Sequence, residues 1–357
     1  MYDVNDKWGL VFAGGGGKGA YQIGAWKALN KLCKDLNICA VAGTSVGALN
    51  AVLYAIGDYN LASRIWNDEQ LAKDILRLKS LEEVIDDSFL SVLVSRLEML
   101  DNGKLDSFLD VVNELMNKGV LSREGLREII IKNNIVGKMR QVKIPCYATI
   151  CSSLNPFNMR AVYKDLRNLE HEEFIKILLA SSAIPFIFSQ ERVKGKLYCD
   201  GGIIDNAPTQ AIHENCSEIK NIIVIDLAAG NSKIDRYKYE DVTILHLRPK
   251  QSLKGFRGTL DFGKETIEAL MKQGEEETEK NLAELGLLTA LQTKKGKEAI
   301  DQRLKEHKDC FQDAWSKMGH GFYSNNPDEM IRGANQITRQ YGGEVPFENI
   351  EELKQLF

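Results

Sequence analysis

Two stretches near the N-terminus, "WGLVFAGGGGKGAY" (8–21) and "ICAVAGTSVGALN" (38–50), share one plan: a short apolar run, a glycine-bearing turn, then a helical pattern. Apolar runs of this length read as buried strands. After the first turn, Tyr21, Ala25, Ala28, Leu29 and Leu32 recur on one helical face. After the second, "TSVGALNAVLYAIG" reads as a helix buried nearly all round and stopped by Gly57. A β-α-β-α opening leaves few folds: a parallel sheet with helices on its faces.

The rest of the chain fits that frame. Strand signals return in "KIPCYATICSS", "MRAVYKDL", "KLYCDGG", "NIIVIDLA" and "VTILHLRP", with a helix expected over 170–182. A long helix is expected over 260–285, carrying Ile267, Leu270, Met271, Leu282 and Leu285 on a common face. Residues 58–140 lack proline, are rich in Leu, Asp, Lys and Glu, and read as amphipathic helices; "GKLDSFLDVVNELMNKG" and "LSREGLREIIIKNN" are the clearest. Such an insertion either caps a site or packs on the sheet. The expected organisation is one α/β domain over 1–286, a mainly parallel central sheet flanked by helices in three layers. It carries the helical insertion at about 58–140 and a charged helical extension over 287–357, with a loop around "GHGFYSNNPDE".

Composition narrows the functions. A net charge of -4 leaves no basic footprint for nucleic acid. The seven cysteines (33, 39, 146, 151, 199, 216 and 310) are odd in number and form no CxxC, which favours reduced thiols over a disulfide framework or zinc site. The N-terminus lacks a charged segment followed by an apolar one, and no apolar run approaches the ~20 residues of a membrane span. A cytosolic or peripherally membrane-associated protein is expected, one that meets any lipid at an interface or takes up monomers.

The four consecutive glycines, Gly14 to Gly17, are not a nucleotide loop. A Walker loop, GxxxxGK followed by Ser or Thr, would need glycine where Phe12 stands and a hydroxyl where Gly19 stands. The fingerprint GxGxxG is met by Gly14, Gly16 and Gly19 in a strand-to-helix context. Its acidic partner is missing, because the second strand ends in Ala42-Gly43-Thr44-Ser45.

Gly43, Ser45 and Gly47 form GxSxG between a strand and a helix. There a serine stands on a sharp turn with its hydroxyl raised above the sheet end. Taken alone, the motif also fits a serine N-cap. Adjacent parallel strands would bring both glycine turns to the carboxyl edge of the sheet, where open α/β folds bind ligands. Bare glycine N–H groups opposite an activated serine could hold an oxyanion, commonly worth ~3–4 kcal/mol per donor. The serine needs a base. His171, His213, His246, His307 and His320 all stand in settings of ordinary surface or core histidines. Asp200 follows a short strand in "LYCDGGIIDNAP". With an ordinary pKa of ~3.9 it is a weak base, but tight geometry and an oxyanion hole would let it take the proton as attack proceeds. The other reading of Asp200-Gly201-Gly202 is a plain turn.

In this order, "GGGGKG", "GTSVG" and "DGG" resemble the oxyanion loop, nucleophile turn and catalytic aspartate motif of the patatin-like phospholipase family. "ASSAIP" (180–185) and "DNAP" (205–208) are similar to further family segments, and the resemblance runs over about 7–285. It implies a Ser-Asp dyad acyl hydrolase of the phospholipase A or lysophospholipase type, cleaving glycerolipid esters through an acyl-serine with no histidine in the chemistry. By the same resemblance Ser45 is the nucleophile, Asp200 the base, and the N–H groups of Gly15, Gly16 and Gly17 the oxyanion hole. Gly14, Lys18, Gly19, Gly43, Gly47, Gly201 and Gly202 support the motifs, with Lys18 either ordering the loop or a solvated lysine.

Three rivals stand beside this reading. An α/β-hydrolase triad normally places its nucleophile turn after several strands, whereas Ser45 follows only the second. A non-catalytic lipid-binding or regulatory module would not need both Ser45 and Asp200. Acyl transfer would pass through the same acyl-enzyme. No metal or cofactor is expected, since neither a calcium loop nor His/carboxylate ligand spacing occurs. The expected partner is a lipid or phospholipid substrate, with no nucleic acid.

Overall fold

The computed structural model describes residues 6–33, 36–68, 121–152, 159–185, 187–229, 239, 241–253 and 258–284. The expected helix at 103–119, His307, His320 and the extension 287–357 lie outside them. In chain order the elements are β1 (Trp8–Phe12), α1 (Ala20–Leu32), β2 (Ile38–Thr44), α2 (Val46–Ile56), α3 (Tyr59–Trp66), α4 (Glu124–Lys132) and α5 (Ile135–Met139). There follow β3 (Cys146–Cys151), β4 (Ala161–Asp165), α6 (His171–Ser181), β5 (Glu191–Val193) and β6 (Lys196–Asp200). The series closes with α7 (Thr209–Asn215), β7 (Asn221–Ile225), β8 (Thr243–Leu247) and α8 (Lys264–Glu284).

The strands form one sheet in the order β5-β6-β3-β2-β1-β7-β8, with β4 also paired to β3. Strands β3, β2, β1, β7 and β8 are parallel; β4, β5 and β6 join antiparallel. Alternate residues face opposite sides. On one face Val11, Ala40, Ala42, Ile222 and Val224 pack with Ala211 and Ile212 of α7. On the other, α2 lies against β1, with the Phe12 and Tyr54 rings 5.8 Å apart. Burial on both faces explains why the central strands read as continuous apolar runs. The chain is therefore a mixed α/β protein with its sheet between helical layers.

Helix α1 departs from the expected amphipathic pattern: from Ala20 to Leu29 every residue except Lys27 is buried. One side supports the β1 turn and the opposite side is covered by α8, where a Cβ on Gly24 would run into the Met271 carbonyl. Two short elements, β5 and α7, carry too little pattern to be read from sequence.

The sheet has one feature that positions the site. β2 pairs with β3 from Val41↔Cys146 to Thr44↔Thr149. Strand β6 pairs with β3 only at Ile150↔Asp200 and Cys151↔Cys199. Because β4 fills the other edge of β3 over Tyr147–Cys151, β6 shares the edge occupied by β2. The two strands thus run head-on along one edge of β3, and the end of β2 faces the end of β6.

Candidate active site

Ser45 and Asp200 sit at that head-on junction. Ser45 is the first residue beyond β2 and adopts φ 56, ψ -129, a conformation that costs about 1–3 kcal/mol for a side-chain-bearing residue. Its flanking glycines leave room for the turn: a Cβ on Gly43 would strike the Gly47 carbonyl, and one on Gly47 the Phe12 carbonyl. The Ser45 side chain makes no cap hydrogen bond, so the N-cap reading fails. Its N–H instead donates to Ser181 Oγ at 2.9 Å.

Asp200 is 5% exposed. Its Oδ1 accepts from the Gly202 N–H at 2.6 Å, which is why two glycines follow it: the chain turns back onto the carboxylate. Its Oδ2 is buried and, among the described residues, has no hydrogen-bond partner. Burial pushes the carboxyl up to about 6, while the Gly202 N–H, the nearby Ser45 hydroxyl and the Arg123 charge pull the other way. Ser45 and Asp200 therefore interact without a closed hydrogen bond between their side chains, as catalytic pairs often do in the absence of substrate.

The glycine loop leaves β1 at the level where Ser45 leaves β2, because Phe12 pairs with Gly43. The loop is tied down on both sides. Gly14 N–H donates to the Asn206 carbonyl at 3.0 Å and Asn206 Nδ2 returns to the Gly14 carbonyl at 3.2 Å. Thr44 Oγ1 reaches the Asp205 carbonyl at 2.9 Å, so "DNAP" fastens both glycine turns to the segment after Asp200. From Gly16 to Gly19 the chain makes a 3₁₀ turn, entered through Gly16 at φ 58 with the Thr259 carbonyl against its α-carbon. Among the described residues, the N–H groups of Gly15, Gly16 and Gly17 donate to no backbone carbonyl. Lys18 is partly buried in this turn, and burial holds its ammonium below the ordinary lysine value. Gly19 packs against Trp66 and Val46, and Gly201 against the Thr149 carbonyl.

Behind the loop lies a buried polar chain. Gln22 Nε2 donates to the Ala13 carbonyl at 2.8 Å and the Ile225 carbonyl at 3.1 Å. Asn50 Nδ2 donates to Gln22 Oε1 at 2.8 Å and the Gly19 carbonyl at 3.1 Å, and Trp66 Nε1 donates to Asn50 Oδ1 at 2.9 Å. Sequence reasoning passed over Gln22 and Asn50; a lone amide inside an apolar helix was the available signal.

Ser45 opens into a cleft walled by Leu49, Leu126, Leu178, Ile184, Phe188 and Phe262, with Gly16 at its edge. Among the described residues lining the cleft, Arg123 is the one cation. Its side chain is 8% exposed, donates to the Leu179 carbonyl, to the Ser189 carbonyl at 2.6 Å and to Glu191 at 3.3 Å, and lies over the Phe188 ring. Burial draws it down to about 10, so it stays charged at neutral pH. No local pattern in the sequence singles it out. Among the described residues, none that lines the cleft is a histidine. His213 Nε2 pairs with Asp241 at 2.8 Å, His246 Nε2 with Asp226 at 3.0 Å, and His171 lies half exposed on α6.

Fold and site together define an α/β protein with a serine on a strained, glycine-flanked turn and a buried carboxylate at the junction of β2 and β6. The chain belongs to the patatin-like phospholipase family, whose model matches residues 10–213. By family it is placed among lipid acyl hydrolases. No curated protein sequence matches it. Among solved structures it is similar to VipD from Legionella pneumophila, at 13% identity and a TM-score of 0.41, covering 96% of this chain and 85% of that one. Human GIVD cytosolic phospholipase A2 in complex with methyl gamma-linolenyl fluorophosphonate gives 13% identity and a TM-score of 0.41, covering 81% of this chain and 59% of the other. ExoU of Pseudomonas aeruginosa, in complex with SpcU, gives 14% identity and a TM-score of 0.37, covering 90% and 64%. The chain thus spans less than two thirds of the last two.

Proposed function

We propose that the protein is a carboxylic-ester hydrolase of phospholipase A or lysophospholipase type, acting on glycerolipids through a Ser45–Asp200 dyad. The observation that carries this is the junction of β2 and β6, which brings a strained, buried serine to a buried carboxylate beside loop amides that, among the described residues, donate to no backbone carbonyl.

The substrate's acyl chain lies in the apolar cleft with its carbonyl carbon at Ser45 Oγ. As Oγ attacks, its proton passes to Asp200 Oδ2. Negative charge gathers on the carbonyl oxygen and is taken up by the N–H groups of Gly15, Gly16 and Gly17. The tetrahedral intermediate collapses, the C–O bond to the alcohol breaks, and the alcohol oxygen takes the proton from Asp200. Water then attacks acyl-Ser45, giving its proton to Asp200, and the fatty acid leaves as Ser45 recovers its proton. A carboxylate whose pKa is raised toward 6 is a better base than an ordinary aspartate and is still ionised at neutral pH.

The test is turnover of diacyl and lysophospholipids and of simple acyl esters by the wild type, Ser45→Ala and Asp200→Asn. The wild type should hydrolyse acyl esters, and each variant should lose about 10³-fold or more. Full activity in folded Ser45→Ala would overturn the mechanism, and a wild type inert on every acyl ester would favour a lipid-binding module.

A further inference from the structure

The Ser45 conformation must be imposed by its surroundings, because strained backbone persists only where neighbours over-determine it. Gly43 and Gly47 make room for the turn without holding it. On the α2 side, the Ser45 carbonyl accepts from Ala48 N–H at 2.9 Å. On the other side, the holding contact is Ser181, a fully buried residue 136 positions away that ends α6. Its Oγ accepts the Ser45 N–H at 2.9 Å and donates its own proton to the Thr149 carbonyl at 2.7 Å. Thr149 is the β3 residue opposite Thr44, so the relay closes a loop from the nucleophile turn back to the strand beside it. Two residues after Ser181, the Ala183 carbonyl accepts the Asp200 N–H at 3.0 Å. The start of the "SSAIP" segment therefore grips the backbone of the nucleophile with one hand and that of the base with the other. By contrast, the adjacent Ser182 hydroxyl turns back on its own helix, to the Leu178 and Leu179 carbonyls.

We propose that Ser181 is a positioning residue for the reaction: its hydroxyl, by accepting from Ser45 and donating to Thr149, fixes the nucleophile turn against the segment that carries Asp200. This rests on the reading of Ser45 as nucleophile and Asp200 as base. The role needs a group that is small, buried, and both donor and acceptor, which a hydroxyl supplies. Alanine leaves the Ser45 N–H and the Thr149 carbonyl unpaired in a dry interior, and the turn relaxes away from Asp200. Misplacement of a reacting group by about 1 Å is enough to cost roughly 10²-fold in rate.

The experiment compares wild type, Ser181→Ala, Ser181→Cys, Ser181→Thr and Ser45→Ala, with kcat and KM measured on one acyl ester well below each variant's melting temperature. A second readout is the rate of covalent labelling by a serine-directed fluorophosphonate. Ser181→Ala should lose about 10²-fold in both kcat and labelling rate while KM stays within about threefold, because the cleft wall is untouched. Ser181→Thr, which keeps the hydroxyl, should recover more than Ser181→Cys, whose thiol is a weak donor and acceptor. Should the alanine variant fail to fold, the order Thr above Cys in kcat and labelling carries the test. Folded Ser181→Ala with wild-type kcat, or Cys equal to Thr, would overturn the inference. If Ser45→Ala keeps its activity, the reading of Ser45 as nucleophile fails first; if only Ser45→Ala is dead, that reading stands and Ser181 is mere packing.

Discussion

Asp200 is held in a place that favours its neutral form. Its pKa rises from 3.8 to about 6, chiefly through burial. Below pH ~4 the carboxyl is protonated in both folded and unfolded chains. Between about 4 and 6 the folded chain keeps a proton that the unfolded chain has lost, so stability falls as pH rises. Above about 6 the whole cost is present, of the order of 2–3 kcal/mol. Two results are expected. The kcat/KM profile of the wild type should rise through an apparent pKa near 6 as Asp200 ionises. Asp200→Asn, which keeps an acceptor for the Gly202 N–H, should be inactive yet more stable by about 2 kcal/mol at pH 7.5, the gain shrinking toward pH 4. Equal stability of the two proteins at both pH values in denaturant titrations would show that the carboxylate is not under strain. Ser45, Asp200 and the glycines around them were legible in the sequence because a turn's chemistry is written in adjacent residues. The roles of Ser181, inside the "ASSAIP" segment, and of Arg123 were not, because what defines each is burial and a partner more than 50 positions away.

The elements show the same division between local and distant information. The strand and helix patterns of residues 8–57 announced the parallel core, and the sequence placed α6, β3, β4 and β6 to β8 close to their observed positions. What it misread was α1, whose second buried side exists only because α8 crosses it. The crossing is made by two glycines: a Cβ on Gly24 would meet the Met271 carbonyl and the Glu275 N, and one on Gly274 would meet the Tyr21 carbonyl. Tyr21 donates to Glu277 at 3.0 Å, and Lys27–Glu275 and Lys31–Glu279 pair at 2.7 Å on the outside. The exposed lysine pairs contribute little; the close backbone approach carries the contact. Gly24→Ala should therefore cost more than about 3 kcal/mol or prevent soluble expression, since backbone cannot step aside cheaply. Gly57→Ala is the contrast. Gly57 caps α2 at φ 78 with open space around it, so its substitution should cost only about 1 kcal/mol from the left-handed conformation. Similar losses in the two variants by thermal denaturation would mean that crowding at the crossing is not what fixes α1.

At the scale of the molecule, the described part of the insertion reaches the site. Arg123 and Leu126, at the start of α4, line the cleft with residues of α2, α6 and the segment before α8. Described residues of the expected helical insertion thus contribute to the cleft wall, which the sequence does not reveal because an amphipathic helix does not record what its apolar face meets. Among the described residues no helix is long and apolar enough to cross a membrane. If the proposed reaction holds, the carbonyl of a lipid substrate has to reach Ser45 while its acyl chain lies against the apolar wall of the cleft. On this reading the depth of the cleft sets the acyl chain that fits. Leu126 is partly buried on the cleft wall, where a larger side chain would take up cleft space rather than overfill the core. Leu126→Trp should lower the ratio of kcat/KM for long-chain over short-chain esters by about tenfold or more, each lost methylene contact being worth about 1–3 kcal/mol. Short-chain kcat should stay near wild type, because Ser45, Asp200 and the glycine loop are untouched. A variant that hydrolyses short esters normally with an unchanged chain-length ratio would show that the acyl chain runs elsewhere. A parallel fall at every chain length would point instead to damage transmitted through α4 to Arg123 and the segments that hold Ser45 and Asp200.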